Sequence, residues 1–475
     1  MLDFKNKKVA VVGLAKTGTA LIKFLLAKGA KITALDKKIK EELGDVYKEL
    51  EGLLVDFRLG QKYLEGLEKF DFIFISPGVP ADLPQLEEAR KRGQRISSET
   101  ELFFDLCPGK IIGITGTNGK TTTVTLIAEL LKSETRDPKA KTNSQSKVPI
   151  PKFEVWVGGN IGEPLIEMVE QIKPDDLVVL ELSSFQLENL KKSPQIAVIL
   201  NITPDHLDRH KTFENYIAAK TNIIKYQNST DVAILNFDDP VTSKLAGKTA
   251  ARLVLFSLNS KLDEGVFLKN KKIVSSIKGK EEALLGLEDI KIPGEHNISN
   301  VLAALAVADV VGVSRETIKS VVSNFAGVEH RIEFTRELDG IRYYNDSKAT
   351  TPDSTIAALE AFSSPIILIA GGYDKHADFT KLAEKIVEKV KYLVLLGQTK
   401  DQIAGAVKIA LEEVGGKFRE FRHNFAESLP EAIRLARAKG EKGDIVLLSP
   451  ACASWDMFKS FEERGRLFKE IVNGF

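Results

Sequence analysis

The run Ile111–Ile114 is wholly apolar. Thr115-Gly116-Thr117-Asn118-Gly119-Lys120-Thr121-Thr122 follows at once, ahead of the apolar-periodic stretch Val124–Leu131. A buried strand that turns through glycines into a helix leaves few folds open. Such strands lie parallel in a sheet, and helices cover both of its faces. The turn also dictates chemistry. N–H groups at a helix start face an anion, Lys120 reaches towards terminal phosphates, and Thr121 offers a hydroxyl to Mg²⁺. The general phosphate loop, G-x-x-x-x-G-K-[ST], would place its first glycine at position 114, where Ile114 stands. Only the Gly-Lys-Thr half matches, with Gly116 as a substitute glycine. A merely structural turn does not require strand, glycines, lysine and helix in this succession.

The same alternation recurs along the chain. Val9–Val12, Lys31–Leu35 and Phe72–Ile75 read as strands, with a helix near Ala20–Lys28. A second series holds Leu177–Leu182, Ala197–Asn201, Val232–Asn236 and the helix Asn297–Val311. A third holds strands Arg342–Asn345, Ile366–Ala370, Leu393–Leu396 and Ile445–Leu448, with helices Leu382–Val390 and Leu429–Ala438 between them. The polar stretch Ser133–Pro151 has no period and is expected to be an exposed loop. The 475 residues suggest two to four domains at roughly 150 residues each. Lys+Arg 67 against Asp+Glu 66 argues against a basic nucleic-acid binder. No apolar run approaches the roughly 18–20 residues of a membrane span, and nothing reads as a signal peptide. Cys107 and Cys452 are too far apart for a disulfide framework, so a reducing cytoplasm is expected.

A second glycine turn, Gly13-Leu14-Ala15-Lys16-Thr17-Gly18, lies between the first strand and its helix, and Asp36 closes the next strand. Ala15 replaces the middle glycine of the dinucleotide fingerprint. Nucleotide or diphosphate binding is therefore favoured over NAD or FAD. An acid at the end of the second strand can accept from a ribose or a base. Glu181 ends a buried strand, as a metal-binding acid should. His206 and His210 are spaced i, i+4, which alone is weak evidence for a metal pair. Lys220, in the helix Phe213–Tyr226, reads on its own as a surface lysine. Asn297 and Asn300 open a helix, where capping competes with adenine or ribose recognition. His296, His376 and His423 are read as structural or surface residues.

The string Gly113-Ile-Thr-Gly-Thr-Asn-Gly-Lys-Thr-Thr-Thr123 resembles the ATP loop of the Mur ligases, which build the peptide of the bacterial cell wall. Gly158-Gly-Asn-Ile-Gly162, Glu181-Leu-Ser-Ser-Phe-Gln-Leu-Glu188 and Asn201-Ile-Thr-Pro-Asp-His-Leu-Asp-Arg209 agree with it. So do Gly294-Glu-His-Asn297, His330-Arg331, Asn345-Asp-Ser-Lys-Ala-Thr350 and Leu448-Ser-Pro-Ala-Cys-Ala-Ser454. The resemblance covers essentially the whole chain. It implies an α/β protein of three α/β domains: Rossmann-like at 1–98, a P-loop ATPase at 99–327, and Rossmann-like again at 328–475. It implies a carboxylate–amine ligase that forms ADP and adds D-glutamate to UDP-N-acetylmuramoyl-L-alanine through an acyl phosphate.

The resemblance also implies roles for residues. ATP would be held by Gly116, Thr117, Asn118, Gly119, Lys120, Thr121, Thr122, Asn297, Asn300, Arg331 and Asp346. Two Mg²⁺ ions would be held by Thr121, Glu181, His206 and a carbamylated Lys220, with Lys120, His206 and Lys220 as catalytic residues. The UDP substrate would meet Gly13, Ala15, Lys16, Thr17, Asp36, Lys37, Ser76, Gly78, Asn160 and Ser183. D-Glutamate would meet Lys348, Thr350, Lys375, Ser454 and Phe461, with Tyr373 or Asp374 acting beside Lys375. A cytoplasmic monomer without nucleic-acid or membrane partners is expected. A folylpolyglutamate synthetase would lack the Gly13–Asp36 unit. A nicotinamide dehydrogenase would leave Lys120 unexplained, and a non-enzymatic nucleotide switch would not need the constellation from Lys348 to Ser454.

Overall fold

The computed structural model describes residues 3–80, 82–136, 153–160, 164–277, 279–375, 377–415 and 421–475. His376 and residues 161–162 lie outside them. Of the expected loop Ser133–Pro151, residues 133–136 instead continue the helix Lys120–Arg136, because Lys, Ser, Glu and Thr on an outer face do not stop a helix whose inner face is apolar. Residues 137–151 lie outside the described residues.

The described chain divides into two compact units. One comprises Met1–Gly286 and Asn300–Val321, the other Leu287–Ser299 and Val322–Phe475. The first unit contains two sheets. In the five-stranded sheet the order is Val55–Leu59, Lys31–Asp36, Lys8–Val12, Phe72–Ile75 and Arg95–Ser97, all parallel. The helix Lys16–Ala27 starts four residues before the expected Ala20. Its first turn is polar and carries no apolar period, yet the backbone is already helical.

The nine-stranded sheet places Lys110–Thr115 between Ile196–Ile199 and Leu177–Glu181. Val155–Gly159 forms one edge. Val232–Asn236 and Arg252–Ser257 extend the other side in parallel. The chain then adds Gly265–Lys269, Lys272–Ser275 and Glu282–Gly286, the last two pairings antiparallel. No expected strand covers these last segments. Their hairpin turns at Asn270 and Lys271, with φ of 49° and 58°, so the left-handed pair is built without the usual glycine signal. One apolar core joins the two sheets, with Val9 and Phe74 from the first, Leu25 from its helix Lys16–Ala27, and Ile111, Leu180 and Ile199 from the second. Trp156 is anchored through its Nε1–H to Asp176, 3.0 Å away.

In the second unit six strands run in the order Glu333–Leu338, Ile341–Asn345, Ile445–Leu448, Ile366–Ala370, Val390–Leu396 and His423–Ala426. Only the first pairing is antiparallel. Alternate residues of one strand feed different cores: Ile366, Leu368 and Ala370 on one face, Ile367 and Ile369 on the other. Burial on both faces explains the unbroken apolar runs. Val390 opens a strand rather than closing the preceding helix, which ends at Lys389. β-branching favours the extended state there.

At the start of the helix Glu99–Leu106, the Glu99 carboxyl is buried and accepts from the Thr100 hydroxyl at 3.5 Å. Burial pushes its pKa from 4.5 up to about 7, opposed weakly by Thr100. Between those values the folded chain binds more protons than the unfolded one, so this group's contribution to stability falls as pH rises and is fully lost above about 7. Glu99→Gln cannot ionise. It should exceed the parent in stability at pH 8 by up to about 3 kcal/mol. Urea unfolding should show that gap shrink to less than half at pH 5.

Candidate active site

The loop between Lys110–Thr115 and Lys120–Arg136 is held from the neighbouring strand end. Asn118 N–H donates to Asn201 Oδ1 at 2.8 Å, and Asn201 Nδ2 donates to Asn118 O at 3.1 Å. The Thr117 hydroxyl donates to Thr203 O at 3.1 Å and accepts from Thr203 N–H at 3.0 Å. The Tyr216 hydroxyl lies 3.1 Å from it as well. Thr117 and Asn118 therefore fix the loop's path, and the expectation of phosphate contact falls on their backbone. Gly119 has φ +84°, and a Cβ there would stand 2.1 Å from Asn300 Oδ1. Only glycine fits that position, which also explains why Asn300 lies against the loop.

Lys120 Nζ donates to Gly116 O at 2.8 Å and Thr117 O at 2.7 Å. Lys220 Nζ donates to the same Gly116 O at 2.8 Å. It stands 4.7 Å above the Tyr216 ring. Lys220 is only 1% exposed, so the surface-lysine reading fails. The helix Phe213–Lys225 turns it inward beside Tyr216, four residues earlier on the same face. Burial, then repulsion from Lys120, pushes its pKa down to about 7, against the pull of Asp205 and Glu181. Burial also pushes the Tyr216 phenol up to about 12.

Thr121 Oγ1 donates to Glu181 Oε2 at 2.8 Å, and Asn160 Nδ2 donates to Glu181 Oε1 at 3.0 Å. Two hard oxygen donors thus meet at the first turn of the loop helix, and Thr122 is buried behind them. Such a pair suits Mg²⁺, which takes one or two protein oxygens and fills its octahedron with phosphate and water. No group of three His, Cys, Asp or Glu side chains able to hold a metal occurs among the described residues. His206 has φ +52° and caps a short helix. Its Nε2 lies 3.4 Å from Asp205 Oδ2, and its ring is half exposed beside Phe185. His210 is buried, stacked on Phe185, with Nε2 3.0 Å from Ser184 Oγ. It belongs to the packing, as its spacing alone could not decide.

In the five-stranded sheet, Gly13 has φ +93°, and a Cβ would come within 2.8 Å of Val79 Cγ2. Ser76 Oγ donates to Gly13 O at 2.7 Å. Both Asp36 oxygens accept backbone amides: Oδ2 from Leu14 at 2.7 Å, Oδ1 from Lys38 at 2.9 Å. Asp36 therefore shapes the turn, and only its remaining lone pairs are left for a ligand. Ala15, Lys16, Lys37 and Gly78 are exposed and Thr17 is half-buried around this turn. Arg209 Nη2 donates to Val79 O at 3.0 Å, tying the Ser76–Val79 turn to the His206 helix. Ser183 is engaged in a capping box with Gln186.

In the second unit, Asp346 is buried. Its Oδ2 accepts from Ser449 Oγ at 2.7 Å and its Oδ1 from Ile332 N–H at 3.1 Å. Burial pushes its pKa up to about 7 in spite of both bonds. Ile332 has φ +43°, rare for a β-branched residue, so Asp346 holds a strained loop that carries the half-buried Arg331. Asn297 Nδ2 donates to Pro293 O at 2.6 Å from within the first turn of the helix Glu295–Val311, so Asn297 is not that helix's N-cap. Lys348 Nζ stands 6.0 Å from the Phe461 ring centroid, and Lys375 Nζ 4.5 Å from that of Trp455. Ser454 is buried and Thr350 half-buried. Asp374 Oδ2 accepts from Gln402, while the Tyr373 ring meets Trp455. Tyr216 and Arg464 belong to these constellations yet stand outside the expected set. Tyr216's i, i+4 spacing to Lys220 was a readable signal for the first.

A mostly parallel sheet with a glycine-lysine-threonine turn and an acid ending the neighbouring strand defines a phosphate-loop protein. Residues 7–98 match the Mur ligase MurD-like N-terminal domain, 114–308 the Mur ligase middle domain and 330–452 the Mur ligase glutamate ligase domain. The chain belongs to the Mur ligase family. It is 46% identical over 472 residues to the UDP-N-acetylmuramoylalanine--D-glutamate ligase of Clostridium botulinum strain Kyoto / Type A2, covering 99% of this chain and 98% of that one. Identity to the protein of the same name from Acetivibrio thermocellus is 44% over 469 residues, covering 99% and 97%. The crystal structure of a MurF ligase from Thermotoga maritima in complex with ADP aligns with TM-score 0.56 at 18% identity, covering 99% of this chain and 96% of that one. A UDP-N-acetylmuramate-alanine ligase from the same organism aligns with TM-score 0.54 at 18% identity, covering 99% and 100%. These two share the fold.

Gly119→Ala should push the loop from Asn300 and misplace its N–H groups. Triphosphate affinity by titration calorimetry should fall at least about tenfold while the far-ultraviolet circular dichroism stays unchanged.

Proposed function

We propose that this chain joins D-glutamate to UDP-N-acetylmuramoyl-L-alanine with conversion of ATP to ADP and phosphate, a step of peptidoglycan precursor synthesis. The observation that carries this reading is the meeting of Lys120 and Lys220 at Gly116 O beside the Thr121–Glu181 pair. Relatives bearing that activity in their name align over the full chain. A carboxylate that attacks a triphosphate is repelled by it, so the catalyst must first neutralise charge. Lys120 exchanges its carbonyl partners for the β- and γ-phosphates, and the loop amides hold the remaining oxygens. The L-alanine carboxylate oxygen bonds to the γ-phosphorus as the bridging P–O bond to ADP breaks. The D-glutamate nitrogen then bonds to the acyl carbon, phosphate leaves with the C–O bond, and the amine gives up its proton.

Thr121 and Glu181 would hold Mg²⁺ at the γ-phosphate, and His206 with Lys220 a second ion. When bound, these ions spread the negative charge of the transferring phosphoryl group. Lys220 is proposed to act as a carbamate. With its pKa near 7, a substantial neutral fraction exists to add CO₂, losing one proton and gaining a carboxylate-like group. That anion would sit beside the Lys120 ammonium instead of a second like charge.

The turn at Gly13, Ala15, Lys16, Thr17, Asp36, Lys37, Ser76 and Gly78 would take the uridine diphosphate, with Asn160 and Ser183 further along the same substrate. Asn297, Asn300, Arg331 and Asp346 would meet the nucleotide, and Lys348, Thr350, Lys375, Ser454 and Phe461 the D-glutamate. This assigns 1–98, 99–327 and 328–475 as the working domains of a cytoplasmic monomer. No described helix is long and apolar enough to cross a membrane.

Incubation with ATP, UDP-N-acetylmuramoyl-L-alanine and D-glutamate should yield the amide by mass spectrometry, with one phosphate released per product. Phosphate release without amide overturns the reading. Lys120→Ala should lose at least about 10³-fold in turnover with its fold retained. Lys220→Ala should lose comparable activity and regain part of it in added formate or acetate, which can enter the vacated anionic position. Absence of any such rescue would argue against the carbamate.

A further inference from the structure

The last helix, Phe461–Asn473, sends one side chain back beneath three loops. Arg464 is 2% exposed. Its Nε donates to Ser347 Oγ at 2.9 Å and Nη2 to Ser347 O at 2.8 Å. Nη1 and Nη2 both donate to Cys452 O at 3.2 Å, and Nη1 reaches Ala453 O at 3.4 Å. Nη1 also lies against Gly372, 3.3 Å from where a Cβ would stand. Ser347 precedes Lys348, Ala453 precedes Ser454, and Gly372 lies in the turn before Lys375. One guanidinium thus bonds two of the three loops from which the amino-acid site is proposed to be built, and packs against the third.

The partners are unusual for a buried cation. They are carbonyls and a hydroxyl. No carboxylate forms an ion pair with Arg464 among the described residues. Asp456 and Asp346 act on it only through space, without a hydrogen bond or ion pair, and burying a charge held in this way is costly. The orientation matters too. In a trans peptide the C=O and N–H point oppositely, so Ala453 O, held by Tyr373 N–H at 2.9 Å and by Arg464 Nη1 at 3.4 Å, aims the next amide, Ser454 N–H, away from both. Neither that amide nor the Ser454 hydroxyl makes a hydrogen bond among the described residues. The same helix turn adds a second tie, since Ser347 Oγ donates to Phe461 O at 2.8 Å.

We infer that Arg464 is a positioning residue for the dicarboxylate amino acid: it fixes the Ser347–Lys348 and Cys452–Ser454 loops in one arrangement, packed against Gly372, and keeps a buried positive charge beneath them. This rests on the D-glutamate reading given above. Arg464 does not touch the amino acid. It acts through the direction of the Ser454 amide and the placement of Lys348 and Lys375. A lysine keeps the charge but cannot fork between two loops, and a methionine keeps the length but neither charge nor donors.

The test is steady-state kinetics of the full chain with Arg464→Lys and Arg464→Met, each titrated separately in D-glutamate and in ATP. Loss of charge-assisted bonds should raise the D-glutamate KM about tenfold in Arg464→Lys and about 100-fold in Arg464→Met, with the ATP KM within about twofold of the parent. If Arg464→Met does not fold, Arg464→Lys decides alone. An unchanged D-glutamate KM in Arg464→Lys overturns the inference. So does a parallel rise of both KM values with a lowered melting temperature, which marks a merely structural role. If the parent chain forms no amide from D-glutamate, the reading of the reaction fails first, and separately from this one.

Discussion

Two lysine ammoniums share a single carbonyl oxygen, that of Gly116, and much of the first unit is arranged to make this tolerable. The glycine turn presents the carbonyl. The Asn201 and Thr203 clasp fixes the turn. The Tyr216 ring offers its face to Lys220, and Glu181 and Asp205 supply the nearby negative charge. A cluster of this kind is unfavourable until an anion enters it. The cost is met by packing across both sheets of the unit, so the unit's stability is what holds the charges ready.

How much of this could be read from the sequence depended on whether a signal was local. Buried parallel strands such as Phe72–Ile75 and Ile366–Ala370 announce themselves as short apolar runs, and their expected bounds agree with those observed. The antiparallel strands Lys272–Ser275 and Glu282–Gly286 did not, because their apolar runs are short and begin on exposed polar residues, and the turn that leads into the first uses Asn270 and Lys271 in place of glycine. Lys120 and Glu181 were legible as chemistry from position alone. Lys220 was not: its neighbours in the chain look ordinary, and the Gly116 carbonyl it meets lies 104 positions away. Asp36 was legible only as an acid at a strand end; that each of its oxygens also accepts a backbone amide could not be read from the sequence.

The second unit follows a different logic. There the polar groups are joined through loops rather than around one loop. Asp346 clasps Ser449 and Ile332, Asn345 reaches His330, and Arg464 spans Ser347 and Cys452. Each link crosses 12 to 117 positions of sequence. Such networks hold loops in place, around the half-buried Lys348 and the exposed Lys375.

The chain has two tryptophans, and they sit in opposite circumstances. Trp156 is pinned through its ring N–H to Asp176 in the first unit, whereas Trp455 is 61% exposed and carries the Lys375 ammonium on its face. Indole emission responds to nearby charge and to solvent. With one indole held fixed, any change in the protein's fluorescence reports chiefly on the other. Departure of Lys375 from Trp455 would therefore be visible as light, in the native chain and without a label.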